Sequence, residues 1–152
     1  MVTQSSFLSQ EMRQKAIGVR TGPAVVEVEK GAIKRFAEAV GDPNPMWNDE
    51  AAAQKGRYGG MVAPPTFLRS ITLERPSLPF DVPFDRLLDG GSEWEYFEPV
   101  RPGDRVSAVA EIVDVSEKSG RFGTMLFTVI VTTYTNQLDV VVATQRSTMI
   151  RY

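Results

Sequence analysis

Asp42 and Asn44 are the residues whose type and spacing point most directly to chemistry. They sit in Gly41-Asp42-Pro43-Asn44-Pro45, followed by Met46 and Trp47. Ile33, Phe36, Ala37 and Val40 precede them at i, i+3, i+4 and i+7, one apolar stripe of a helix. Gly41 then stands where a left-handed C-terminal cap is wanted, and Pro43 keeps the helix from resuming. Asp42 is therefore expected on a rigid turn just past a helix end, where a carboxylate can accept a proton or a hydrogen bond from water. The same two side chains can instead close Asx-turns beside the prolines. On the residues alone both uses stay open. The chain has no histidine at all, so no imidazole is available to share a proton with Asp42.

Gly41-Asp42-Pro43-Asn44-Pro45 resembles the GDxNP signature of the MaoC-like (R)-specific enoyl-CoA hydratases and 3-hydroxyacyl dehydratases, a hot-dog-fold family. The similarity runs from about residue 6 through the last strand. In the fuller family pattern an aliphatic residue and a histidine come next, and here those positions hold Met46 and Trp47. The family's catalytic pair is that Asp and that His, so Asp42 is retained and its partner is missing. Trp47 is no substitute, because an indole N–H only donates and does not titrate. The branch this chain resembles most is the N-terminal-type MaoC dehydratase domain. Such domains sit beside a catalytic partner domain and often carry an aromatic at this point.

Adding water across an enoyl thioester needs a base for the water, an acid for the α-carbon and donors for the developing enolate oxygen. In the family an Asp and a His grip the water, and a backbone N–H at the start of the central helix holds the oxygen. Here Ala63-Pro64-Pro65 aligns with the family's Ala-His-Gly, and Pro65 has no N–H to give. Thr66 offers the next one. The resemblance implies Asp42 as the catalytic candidate and Asn44, Trp47, Met61, Thr66 and Phe67 as substrate-binding candidates. It implies no metal and no cofactor. The partners it implies are an acyl-CoA or acyl-carrier-protein thioester and a second hot-dog domain, as a homodimer or as a heterodimer with a His-bearing subunit. Four readings follow. The first is a hydratase or dehydratase subunit that shapes the acyl pocket beside that partner. The others are a self-sufficient homodimer using Asp42, a hot-dog acyl-CoA thioesterase, and a non-catalytic acyl-CoA-binding regulator.

The elements that must position these residues fit one domain spanning 1–152. A chain of 152 residues with 42% hydrophobic content can bury a core without staples. No cysteine is present, which removes disulfides and thiolate metal sites and fits a reducing cytoplasm. A net charge of −2 argues against a nucleic-acid or anionic-membrane surface. No apolar run approaches membrane-spanning length, and no signal peptide is evident.

In chain order, residues 1–5 read as loose. Ser5 or Ser6 is expected to cap a helix reaching about Lys15, with a Glu11–Lys15 pair outside. Ala24–Val28 reads as a short strand at a sheet edge or start, and Ile33–Val40 as the helix before the signature turn. Asn48 or Asp49 caps a small helix, Glu50–Gln54. Pro64 or Pro65 opens another, carrying Phe67, Leu68 and Ile71, which in a hot-dog fold is the central helix. Residues 75–91, with Pro76, Pro79, Pro83 and Gly90-Gly91, read as a long loop. Period-two runs through Glu93–Tyr96, Val106–Ile112, Leu126–Val131 and Val140–Ile150 are strands. Lys118-Ser119-Gly120 and Thr135-Asn136-Gln137 are the expected hairpin turns. A helical half followed by an antiparallel half is α+β by pattern, and the resemblance makes it a hot dog. Lys55 and Arg57 are a basic pair within reach of a phosphate, or simply solvated. Trp94, Tyr96 and Phe97 read as core or interface residues.

Overall fold

The computed structural model describes residues 6–121 and 123–152. Its frame is a five-stranded antiparallel sheet in the order β1-β3-β4-β5-β2. The strands are β1 (Ala24–Glu27), β2 (Leu87–Tyr96), β3 (Arg105–Gly120), β4 (Gly123–Thr135) and β5 (Val141–Arg151). Alternation explains why one face of β3 and β4 is buried. Val106, Ala108, Ala110 and Ile112 on β3 lie beside Leu126, Thr128, Ile130, Thr132 and Tyr134 on β4, all buried. A side-chain period of two puts each set on one face. The register pairs Ile112 with Ile130 and Ala108 with Tyr134, so the two inner rows are neighbours. A one-residue slip would turn both rows out to solvent. β1 lies at one edge, as its sequence suggested, and β2 at the other.

Two different layers cover the inner face. At one end lie the helices α2 (Lys30–Ala39), α3 (Pro45–Asn48) and α4 (Glu50–Gln54), with a 3-10 helix over Pro65–Ser70. Ile33, Ala37, Trp47, Phe67 and Leu68 pack there against Val106, Ala108, Tyr134, Val142 and Ala143. Full burial of a side chain such as Ile33 contributes about 1.5–3 kcal/mol. At the other end no long helix is present. Leu73, Leu78, Phe80, Val82 and Phe84, from an extended strap, cover Ile112, Val115, Leu126 and Ile130. Ala16 of helix α1 (Gln10–Ala16) joins them, and Phe7 meets Phe80 and Phe84 edge-on at 6.4 and 5.6 Å.

The strap accounts for the main departure from the sequence reading. The expected central helix is only a six-residue 3-10 turn. Pro65 starts it, the Ser70 hydroxyl donates to the Phe67 carbonyl at 2.6 Å, and Ile71 is already extended. Pro76, Pro79 and Pro83 then withhold the N–H groups a longer helix needs. Phe67, Leu68 and Ile71 are buried all the same.

Smaller corrections have local causes. The loop expected over 75–91 ends earlier, because β2 begins at Leu87 and holds Gly90-Gly91 as a bulge. There Asp89 Oδ1 accepts the Gly91 N–H at 2.8 Å, and Gly91 takes a φ of 100°. Lys118-Ser119-Gly120 is not a turn but the end of β3, paired with Gly123–Met125, and the chain reverses at 121–122. The Thr135-Asn136-Gln137 turn is present and extends to Asp139. Asn136 Oδ1 accepts the N–H groups of Leu138 and Val140. Helix α1 is capped by Ser9, which accepts the Met12 N–H at 3.1 Å, while the Ser6 hydroxyl donates to Glu117 instead. The Lys15–Glu11 pair forms at 2.6 Å. Ser5 and the rest of residues 1–5 lie outside the described residues. Among those described, no helix is long and apolar enough to cross a membrane.

Candidate active site

Helix α2 ends as its sequence requires. Gly41 adopts a φ of 70°, and the Asp42 N–H donates back to the Ala37 carbonyl at 2.8 Å. The turn that follows is held by its own side chains. Asp42 Oδ1 accepts the Asn44 N–H at 3.1 Å, and Asn44 Oδ1 accepts the Met46 N–H at 3.0 Å, which caps α3 with Pro45 in its first turn. Asn48 Nδ2 donates to the carbonyls of both Asp42 and Asn44, each at 2.9 Å. Asp42 is thus half-buried and bracketed by the segment it belongs to. Residues 41–48 contain no other ionisable side chain, so the turn alone cannot assemble an acid–base pair.

The short helix α3 delivers Trp47 into the core, where it is 8% exposed. Its indole Nε1 is fully enclosed and has no hydrogen-bond partner among the described residues. Trp47 also walls a cleft of about 550 Å³, together with Met46, Arg57, Tyr58, Leu68 and Phe97. Arg57 lies over the Tyr58 ring at 5.4 Å from its centroid, whereas Lys55 is simply exposed at the end of α4. Tyr96, also in the cleft wall, has its phenol pKa raised by burial, with Arg69 acting against the shift.

The other sequence candidates lie around this cleft rather than in its wall. Asp42 and Asn44 are in the turn behind it. Met61 and Phe67 are buried in the core, Phe67 edge-on to Phe36 at 5.7 Å. Thr66 is exposed on the 3-10 helix. The N–H groups near the aligned oxyanion position are largely committed: Val62 to Met46 O at 3.2 Å, Ala63 to Val100 O at 2.7 Å and Phe67 to Pro64 O at 2.9 Å. Pro65 has none. Tyr58, Leu68 and Phe97 were not legible as cleft residues, since nothing in their spacing distinguishes a cleft wall from ordinary apolar packing.

The family model for the FAS1-like dehydratase domain region matches residues 15–145. The chain belongs to this family. A UPF0336 protein of Streptomyces coelicolor is 38% identical over 104 residues, 64% of this chain and 68% of that protein. The crystal structure of a MaoC-like dehydratase from Rhodospirillum rubrum superposes with a TM-score of 0.73 at 26% identity, covering 95% of this chain and 97% of that one. The C-terminally truncated HadBC (3R-hydroxyacyl-ACP dehydratase) complex of Mycobacterium tuberculosis gives a TM-score of 0.69 at 25% identity, covering 89% and 96%. The sheet of this FAS1-like dehydratase domain is accordingly a hot-dog sheet, with its central helix cut to one 3-10 turn.

Proposed function

We propose that this dehydratase-family domain is a subunit acting on an enoyl or 3-hydroxyacyl thioester of coenzyme A or of a carrier protein. In this reading it shapes the acyl pocket while a His-bearing hot-dog partner moves the protons. The observation that carries it is Trp47. Where the family pattern has its histidine, this chain has a buried indole walling a cleft of about 550 Å³, on a turn whose only ionisable group is Asp42. Trp47, with Met46, Leu68 and Phe97, gives that cleft the apolar wall an acyl group requires. Asn44 acts by fixing the turn, and Met61, Thr66 and Phe67 by supporting the backbone behind the cleft.

A partner is supported from two sides. The similar HadBC dehydratase is a complex of two kinds of chain. On this chain β2 is a ten-residue edge strand, with Leu87, Leu88, Tyr96 and the adjoining Phe97 exposed. A long apolar edge is a pairing surface unless something covers it. The thioester substrates and the absence of cysteine fit a cytoplasmic location.

One observation favours a second reading, a self-sufficient homodimer using Asp42. Only Oδ1 of Asp42 accepts a hydrogen bond within the described residues, so Oδ2 remains open to water. Asp42→Asn in the active assembly separates the two. Asn closes the same turn, so turnover is expected within about threefold of wild type if Asp42 only shapes the turn. A loss of roughly 10²–10⁴-fold would assign proton transfer to Asp42.

A further inference from the structure

The inner face of the sheet is apolar except in one place. On β4 and β5 the inward positions Thr132, Tyr134, Gln145 and Ser147 are polar, and the register sets Thr132 beside Gln145 and Ile130 beside Ser147. These four side chains line a cavity of about 280 Å³. Its opposite wall is apolar, with Ile71, Leu73, Leu88 and Met149. No residue lines both this cavity and the cleft at Trp47. The stack of Tyr134 on Trp94 (5.5 Å) and Trp94 on Tyr96 (5.7 Å) connects the two walls.

Two of the polar groups are unused by the fold. Tyr134 and Thr132 are 4% and 5% exposed, yet neither hydroxyl has a hydrogen-bond partner among the described residues. Neither is sealed off either, since Trp47 Nε1 is the one fully enclosed atom without a partner. Both hydroxyls therefore open onto the cavity they line. Leaving a buried polar group unpaired is a standing cost to folding, and a fold that tolerates two side by side has another use for them. Gln145 and Ser147 are committed: Gln145 Nε2 donates to Ser92 at 3.1 Å and the Ser147 hydroxyl to the Ile130 carbonyl at 3.5 Å. What remains on offer is a cluster of donors. The Tyr134 and Thr132 hydroxyls are joined by Arg69, whose guanidinium lies near enough to act on the Tyr134 phenol.

We infer that this cavity is a second small-molecule site, which takes an apolar molecule through a carbonyl oxygen held by Tyr134 and Thr132. Donors without a facing acceptor call for an acceptor on the ligand, and the apolar wall calls for a hydrocarbon body. The volume is roughly nine times the ~30 Å³ share of one water, ample for a substituted ring. Burial pushes the Tyr134 phenol up to about 12, with Arg69 opposing, so it keeps its proton to donate at neutral pH. The inference does not depend on how the signature turn works.

The test uses the full chain, in whatever assembly it purifies, and two probes matched in size: acetophenone, which has the carbonyl, and ethylbenzene, which lacks it. NMR titration is followed at the Tyr134 ring and the Thr132 methyl. Wild type is expected to favour the ketone by about 3- to 10-fold, roughly the net contribution of one hydrogen bond. Tyr134→Phe keeps the ring stack and should hold its Tm while losing most of that preference, and Thr132→Val should do the same in smaller measure. Equal affinities, or no shift at either residue with millimolar probe, would overturn the site. So would a preference that survives both substitutions together, or a Tm drop of several degrees in Tyr134→Phe, which would mean the hydroxyl serves the fold.

Discussion

The signature turn and the β4–β5 cavity use their polar groups in opposite ways. In the turn Asp42, Asn44 and Asn48 bind neighbouring backbone, within six residues of one another, and little is left over. In the cavity Tyr134 and Thr132 are more deeply buried and bind nothing within the described chain. The segment that looks like a catalytic motif is thus occupied with its own geometry, and the segment that looks like ordinary strand keeps donors in reserve. Retaining a motif's shape is therefore separable from retaining its chemistry. Here the shape survives because it ends α2 and mounts Trp47 in the core.

The largest expected effect breaks the turn's mounting role. Trp47→Ala should lower unfolding free energy by about 3–5 kcal/mol, the range for a truncated buried tryptophan, measured by urea denaturation. Trp47→Phe should recover most of it, because Phe refills much of the volume and leaves no N–H unpartnered. A next, smaller effect sharpens the cavity side. The Tyr134 phenol titrates at about 12 in the folded chain and at its ordinary value of 10.0 when exposed. The unfolded state therefore loses its proton first, and stability present below pH 10 should decline as pH rises toward 12. The decline traceable to this group is about 2–3 kcal/mol. It should be absent from Tyr134→Phe in stability curves taken at matched pH.

The fold was legible wherever a repeating pattern had only one way to be buried. The inner rows of β3 and β4 and the apolar stripe of α2 were read from period alone, because burial on one face dictates the period. The central helix was misjudged for a local reason. Phe67, Leu68 and Ile71 suit a helix and a buried 3-10 turn equally well, and the prolines that stop it come five to twelve residues after Ile71. Gly90-Gly91 read as loop because a bulge and a turn demand the same residues. At the site, the missing histidine and Pro65 were visible in composition and alignment. The cavity was not, although its signal was present: Thr132 and Tyr134 interrupt an otherwise apolar inner row on β4, and polar residues in such a row ask for partners.

The smallest expected effect compares two replacements of Asp42. Asp42→Ala removes the acceptor for the Asn44 N–H and should cost about 0.5–2 kcal/mol, as the loss of a capping side chain does. Asp42→Asn keeps an acceptor in the same place and should stay within about 0.5 kcal/mol of wild type by thermal denaturation. Equal losses for the two would mean that charge, not the Asx bond, holds the turn.

The central claim is that this chain contributes the shape of an acyl pocket but not the proton transfers. The direct measurement is hydration of an enoyl thioester by the purified chain freed of every other hot-dog protein, followed by loss of enoyl absorbance. The expected result is a rate no faster than buffer, with turnover appearing only when a His-bearing hot-dog partner is added. Robust turnover by the chain alone would contradict the account and place the chemistry at Asp42.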